Sequence, residues 1–341
     1  MAMNDVGQSW VQAMREARFG DAWALSAAVL AGRDPALRDD PAADYHLRWV
    51  WDGRPVDGSD VLVRCYHGLG DTIQFARFLP LLAMRAGSVT LEVQPRLAGL
   101  FKGMPGIDAI VPFDPARPLP PRGCDLEITE LAFALRAPPD TAPTPYLSAP
   151  PAALPPGTVG LCYDAGGWDQ TRCIPPDLLA PLCQIAPCIT LVPEPTVLDV
   201  RNPAGCPLDM AATASLLAGS ALIVTVDTMI AHLAGAMGKP VWLLLKADPD
   251  WRWSPDAAES PWYPSMRLYV QPRAGDWSSV VERVTRDLAA FCQRKRKDRI
   301  YGFPRKSHRA AVVGRADRQD HHPGDQEGAD RPGRGTCPRR P

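Results

Sequence analysis

Residues Ile223 to Leu245, IVTVDTMIAHLAGAMGKPVWLLL, spell one complete strand, helix and strand, and few folds accommodate such a unit. The apolar, β-branched run Ala221 to Val226 has the character of a parallel strand buried on both faces. Asp227 then reads as a helix cap, Ile230, Leu233, Ala234 and Met237 recur at helical spacing, and Gly238 with Pro240 ends the helix. Val241 to Leu245 follows as a second strand. Chains that alternate this way build parallel sheets covered by helices, and such sheets bind ligands at the carboxyl ends of their strands. The backbone N–H groups of Thr228, Met229 and Ile230 at the predicted helix start suit an anion, and His232 lies one turn further on.

The same grammar recurs along the chain. Val61 to Tyr66 reads as a strand, His67 to Gly70 as a turn, Thr72 to about Arg85 as a helix kinked or shortened by Pro80, and Val89 to Val93 as a strand. Pro138 to Gly157 is too proline-rich for either regular element and reads as an interdomain linker. Beyond it the spacing predicts strands at Val159 to Tyr163 and Ile189 to Val192, helices at Asp177 to Ile185 and Asp209 to Ala218, and a final amphipathic helix over Ser278 to Cys292. The expected organisation is therefore a short helical segment over 1–50, a Rossmann-like domain over 51–137, a linker over 138–157, a second Rossmann-like domain over 158–292 and a disordered basic tail over 293–341. Within the helical segment, Ser9 to Leu30 forms two short helices around Phe19-Gly20-Asp21.

Composition excludes several classes. An apolar fraction of 46% over 341 residues supplies two cores. The net charge of −1 hides an asymmetry, because from Gln293 onward there are fourteen Lys or Arg against six Asp or Glu. The body is thus acidic and unsuited to nucleic acid. Nine cysteines show neither a CxxC pair nor zinc-like spacing, so reduced thiols in a cytoplasm, without a metal, are expected. The N-terminus lacks an apolar core of secretory type, and charged residues interrupt the longest apolar run, so neither export nor a membrane span is expected.

Two junctions carry candidate chemistry. In His67-Gly68-Leu69-Gly70-Asp71 the glycines Gly68 and Gly70 admit a ligand closely, yet the third glycine of a dinucleotide fingerprint is Ile73, although Glu92 stands where the ribose-binding acid belongs. Asp71 reads either as a helix cap or as a general base at a cleft, and His67 as a cleft residue or a solvated loop residue. Asp227 and His232 have equally plain structural readings, but Asp227, Thr228 and His232 converge on one helix end. Arg172 could add a cation for a diphosphate. The aromatic-dense segment Asp250 to Trp277, with Trp251 and Trp253 at its start, either packs its own loop or stacks on a sugar or base.

Together, GLGDTIQFARFLPLL at Gly68 to Leu82 and VDTMIAHLAGAMGKPVWLLL at Val226 to Leu245 resemble the bacterial heptosyltransferase-type enzymes of glycosyltransferase family 9. The likeness is closest to a branch often fused to tetratricopeptide repeats, which carries segments similar to Trp51-Asp52-Gly53, Asp250 to Trp253 and Ser260 to Pro264. It covers about Arg48 to Leu288. The resemblance implies an α/β fold of GT-B type, with two Rossmann-like doubly wound domains facing across a cleft.

By the same resemblance, the chain moves a sugar, such as a heptose, from a nucleotide-diphosphate donor to a hydroxyl by metal-independent inverting displacement. Asp71 maps onto the catalytic base, and Asp227, Thr228, Met229 and His232 onto the surroundings of the donor diphosphate. Arg172 falls near a phosphate-neutralising position, and Glu194 where a ribose hydroxyl is held. His67, Gly68, Gly70, Trp251 and Trp253 then border the cleft or the acceptor. The implied partners are a nucleotide-sugar and a glycan, lipid-linked or protein acceptor, with peripheral membrane contact where the acceptor is membrane-bound, and no cofactor. The chain departs from that branch in Tyr163 to Pro176, YDAGGWDQTRCIPP, where Cys173 replaces a serine. That departure and the altered context of Glu194, Leu191-Val192-Pro193-Glu194, support one alternative, a non-catalytic GT-B-like glycan- or partner-binding scaffold; a third reading is an epimerase on the same fold, which converts the donor without an acceptor.

Overall fold

The computed structural model describes residues 3–142 and 144–301. Contacts divide the chain after Lys297, and apart from the last turn of the final helix everything below concerns the unit that ends there. Two parallel sheets organise it. The first has the order β3-β2-β1-β4, from β1 (Asp60–Arg64), β2 (Ser88–Val93), β3 (Ala109–Pro112) and β4 (Cys124–Glu127). The second has the order β6-β5-β7-β8-β9, from β5 (Val159–Cys162), β6 (Cys188–Thr190), β7 (Leu222–Val226), β8 (Val241–Leu245) and β9 (Met266–Val270). Every residue of β5, β7 and β8 is buried, as strands covered on both faces require.

Chain order reverses between β1 and β4 in one sheet and between β5 and β7 in the other. Those switch points open crevices at the strands' carboxyl ends. The helices after β1 and β7, α3 (Leu69–Phe75) and α9 (Met229–Ala236), meet face to face at the junction between the sheets. Close approach there depends on Gly70, because a Cβ added at that position would lie 2.8 Å from His232 Cδ2 and 3.5 Å from the Met229 Cα. Gly235 serves the same junction, since its added Cβ would fall 2.5 Å from the Tyr263 ring.

The helix predicted from Thr72 to Arg85 is interrupted. It starts earlier, at Leu69, tightens into a 3₁₀ turn over Ala76–Phe78 and resumes as α4 (Leu79–Ala83), with Pro80 in its first turn, where a missing N–H costs nothing. The helices α5 (Ala98–Phe101) and α6 (Leu131–Leu135) complete the first half, and α7 (Ala180–Ile185), α8 (Met210–Gly219) and α10 (Trp277–Tyr301) the second. The last helix runs past Cys292, so residues 293–301, expected in the tail, are helical, and the rest of the expected disordered tail lies outside the described residues.

The proline-rich segment opens with a 3₁₀ turn over Pro139–Thr141, a regular element the sequence did not predict, and beyond it is firmly seated. Tyr146 N–H donates to Ala236 O at 2.9 Å and its hydroxyl to Ile73 O at 2.9 Å, so one residue ties the ends of α9 and α3 together. Near the N-terminus, α1 (Met3–Arg15) and α2 (Phe19–Ala31) pack on the aromatic loop after β8. Trp10 meets Trp251 edge-on at 5.1 Å, Phe19 meets Trp262 at 5.9 Å, and Arg15 pairs with Asp248 at 2.8 Å. Among the described residues no helix is long and apolar enough to cross a membrane.

Candidate active site at two strand-end crevices

At the first switch point, β4 ends in Glu127 and the turn after β1 carries His67. Buried Glu127 receives the Tyr66 N–H at 3.2 Å and the Thr129 N–H at 2.7 Å, and its Oε1 stands 3.0 Å from His67 Nδ1. Burial pulls the His67 pKa down, but the Glu127 carboxylate outweighs it and the net shift is upward. Glu130, on the turn after β4, accepts backbone N–H groups from Val50, Trp51 and Glu127 at 3.3, 2.9 and 2.8 Å. Desolvation dominates there and raises its pKa to about 7.

Asp71 is not the cap of its helix. Gly68 occupies the cap position, and Asp71 sits in the first turn with Oδ2 accepting the Gly68 N–H at 3.0 Å. Its other oxygen, Oδ1, pairs with Arg252 from the loop after β8. Arg252 is nearly buried and uses all three of its nitrogens, for it also donates to Asp250 at 2.7 Å and Gln74 at 2.5 Å, and it lies over the Trp251 ring at 4.1 Å. Glu92, at the spacing of a ribose acid, instead pairs with Arg64 at 2.9 Å inside the first sheet, and Asp125 completes that buried triad.

At the second switch point, Thr228 rather than Asp227 caps α9, its hydroxyl accepting the Ile230 N–H at 3.2 Å. Of the three N–H groups predicted to serve an anion, that of Ile230 is therefore engaged within the cap. Asp227 is buried, and desolvation raises its pKa against the opposing pull of Arg172, whose Nη1 lies 3.4 Å from Asp227 Oδ2 and 3.3 Å from its carbonyl. Arg172 also stands 3.4 Å from Asp169, which Lys246 at the end of β8 approaches at 2.9 Å. Hydrogen bonds from Lys246 and Thr171 hold the Asp169 carboxyl well below the usual range. Two cations thus gather over the carboxyl ends of β5, β7 and β8.

The predicted residues separate into two groups. His67, Gly68 and Asp71 meet at one crevice, and Arg172, Asp227, Thr228 and Met229 at the other. His232 does not open onto the second group. It is buried beneath Gly70, 3.0 Å from the Tyr263 hydroxyl and stacked at 5.8 Å on Trp253, and desolvation holds its pKa well below 6.5, so the ring is neutral. Trp253, expected at the cleft, is fully buried and packs the junction, whereas Trp251 borders a cavity beside Asp71. Glu194 is exposed on the loop after β6. Sequence reasoning missed Arg252 and Lys246. Lys246 was accessible by rule, as the first residue beyond a parallel strand; Arg252 declares itself only through a partner on the other half of the chain.

Among the described residues no group of three or more His, Cys, Asp or Glu is arranged to hold a metal ion. No protein-family model matches the chain. Protein FlbA of Caulobacter vibrioides is 27% identical over 340 residues, spanning 85% of this chain and 54% of that protein. The chain therefore spans about half the length of the curated relative it matches. The dodecameric iron-containing heptosyltransferase TibC, solved with ADP-D-β-D-heptose, superposes with a TM-score of 0.51 at 13% identity, covering 71% of this chain and 80% of that one. TibC comes from enterotoxigenic E. coli. The ADP-heptose LPS heptosyltransferase II of E. coli gives 0.49 at 14% identity, covering 70% and 99%. The TibC match assigns the architecture, two Rossmann-like halves of GT-B type.

Proposed function

We propose that this protein is a glycosyltransferase that moves a sugar from a nucleoside-diphosphate donor to a hydroxyl acceptor by a metal-independent inverting displacement. The observation that carries the reading is the facing of two unlike crevices: a carboxylate, Asp71, at the β1/β4 switch point, and the cations Arg172 and Lys246 around the start of α9 at the β5/β7 switch point. In the reaction, Asp71 takes the proton of the acceptor hydroxyl as that oxygen bonds to the anomeric carbon. The bond from that carbon to the diphosphate breaks, and its electron pair leaves with the nucleotide. Arg172, Lys246 and the N–H groups at the start of α9 meet the growing charge, where fixed dipoles and cations act most strongly.

Asp227 anchors Arg172 on the leaving-group side and takes no proton. Arg252 is a positioning residue that fixes the Asp71 carboxylate. The fold shared with a heptosyltransferase solved with ADP-heptose makes that nucleotide-sugar the first donor to try. A second reading, a non-catalytic scaffold, draws on one observation: both Asp71 oxygens are already bonded. A thermal-shift screen against a panel of nucleotide-sugars, followed by assay of nucleoside-diphosphate release, separates the two. An enzyme is stabilised by one donor and turns it over with an acceptor; binding to none of them contradicts the proposal.

A further inference from the structure

Between the N-terminal helices and the first sheet lies a cavity of about 580 Å³. That is within the range of roughly 300–1,000 Å³ found for small-molecule sites. Its walls are aromatic, built by Trp10 and Trp23 from α1 and α2, Trp51, Phe75, Phe133 and Trp251. The polar side chains at its base come from the switch point, His67, Asp71 and Glu130, together with Arg252. The cavity therefore has an apolar body and a polar floor that contains the proposed base.

From this we infer that the cavity is the acceptor site and takes an amphipathic, uncharged alcohol, its aromatic or alkyl body against the indoles and its hydroxyl at Asp71 and His67. The inference rests on the glycosyltransferase reading and adds the acceptor's chemical class. An anionic acceptor is disfavoured at the floor, where its hydroxyl must meet the Asp71 carboxylate and where Arg252 is already engaged by Asp71 and Asp250. Arg33, at the rim, is turned onto the Trp49 ring at 4.9 Å. Aromatic walls instead reward apolar surface and the C–H faces of sugars. The α1–α2 pair acquires a role by this account, since it supplies one wall of the cavity, with Trp10 and Trp23 its aromatic part.

Four probes share one sugar and differ in what it carries: octyl β-D-glucoside below its micelle concentration, 4-nitrophenyl β-D-glucoside, methyl β-D-glucoside and glucose 6-phosphate. Titration calorimetry is expected to show the first two binding at least tenfold more tightly than the methyl glucoside, with no gain for the phosphate. Gly7→Trp supplies a plug, because a Cβ at Gly7, on the cavity lining, meets no atom within 4 Å. That variant is expected to lose the octyl glucoside preference while its stabilisation by nucleotide-sugar is unchanged. Equal affinity for all four probes, tighter binding of the phosphate, or an octyl preference that survives Gly7→Trp would overturn the inference while donor binding still stands. Absence of donor binding in the unaltered protein would overturn the glycosyltransferase reading and this acceptor assignment with it.

Discussion

The guanidinium of Arg252 is joined to the carboxylate of Asp71, 181 positions earlier in the chain, so a loop of one sheet holds the candidate base of the other. Breaking a buried, hydrogen-bonded ion pair strands its partners, and here those are Asp71, Asp250 and Gln74. Arg252→Ala is expected to lower the unfolding free energy by on the order of 3 kcal/mol. Urea denaturation of the variant measures this. A double-mutant cycle with Asp71→Asn should return a coupling of at least roughly 0.5 kcal/mol, as residues in one network do.

Gly70→Ala tests the helix junction. Its Cβ would meet His232 Cδ2 at 2.8 Å and the Met229 backbone at 3.5 Å, and neither neighbour is a free side-chain end. The expected cost is about 1–3 kcal/mol, the usual range for overpacking. Gly7→Ala, in α1 with open space around it, is the control and should be neutral or stabilising by up to about 1 kcal/mol. Thermal melts of the two variants moving in the same direction and by the same amount would contradict the packing account.

The pH dependence follows from Glu130. Its carboxyl titrates near 7 when folded and near 4.5 when unfolded, because burial disfavours the charge. Between those values the folded state holds the extra proton, so stability falls as pH rises from 4.5 to 7 and then levels. Glu130→Gln is expected to flatten that part of the curve, a difference on the order of 2 kcal/mol across the window. Denaturation midpoints at pH 5 and 8 for both proteins supply the comparison.

Much of the fold was readable because parallel strands buried on both faces must be continuous apolar runs, and β5, β7 and β8 are. Local caps were harder. Asp227-Thr228 and the Gly68 to Asp71 turn each offer two residues suited to capping, and backbone geometry chose Thr228 and Gly68, shifting both aspartates into other roles. The His232 imidazole looked like part of an anion site because periodicity places it near the start of α9. Gly70 and Trp253, distant in sequence, enclose it. Arg252 was unreadable for the same reason: a surface-like DWRW motif becomes a buried ion pair only when the two halves meet.

The central assignment is the proton acceptor, and Asp71→Asn tests it most directly. With a donor identified by thermal shift, nucleoside-diphosphate release in the presence of acceptor is compared between the unaltered protein and the variant, and donor binding is titrated in both. The account predicts that turnover drops by roughly 10²–10⁴-fold, the usual contribution of a general base, while the donor still binds at the other crevice. Retained turnover in a variant that still binds donor would contradict it.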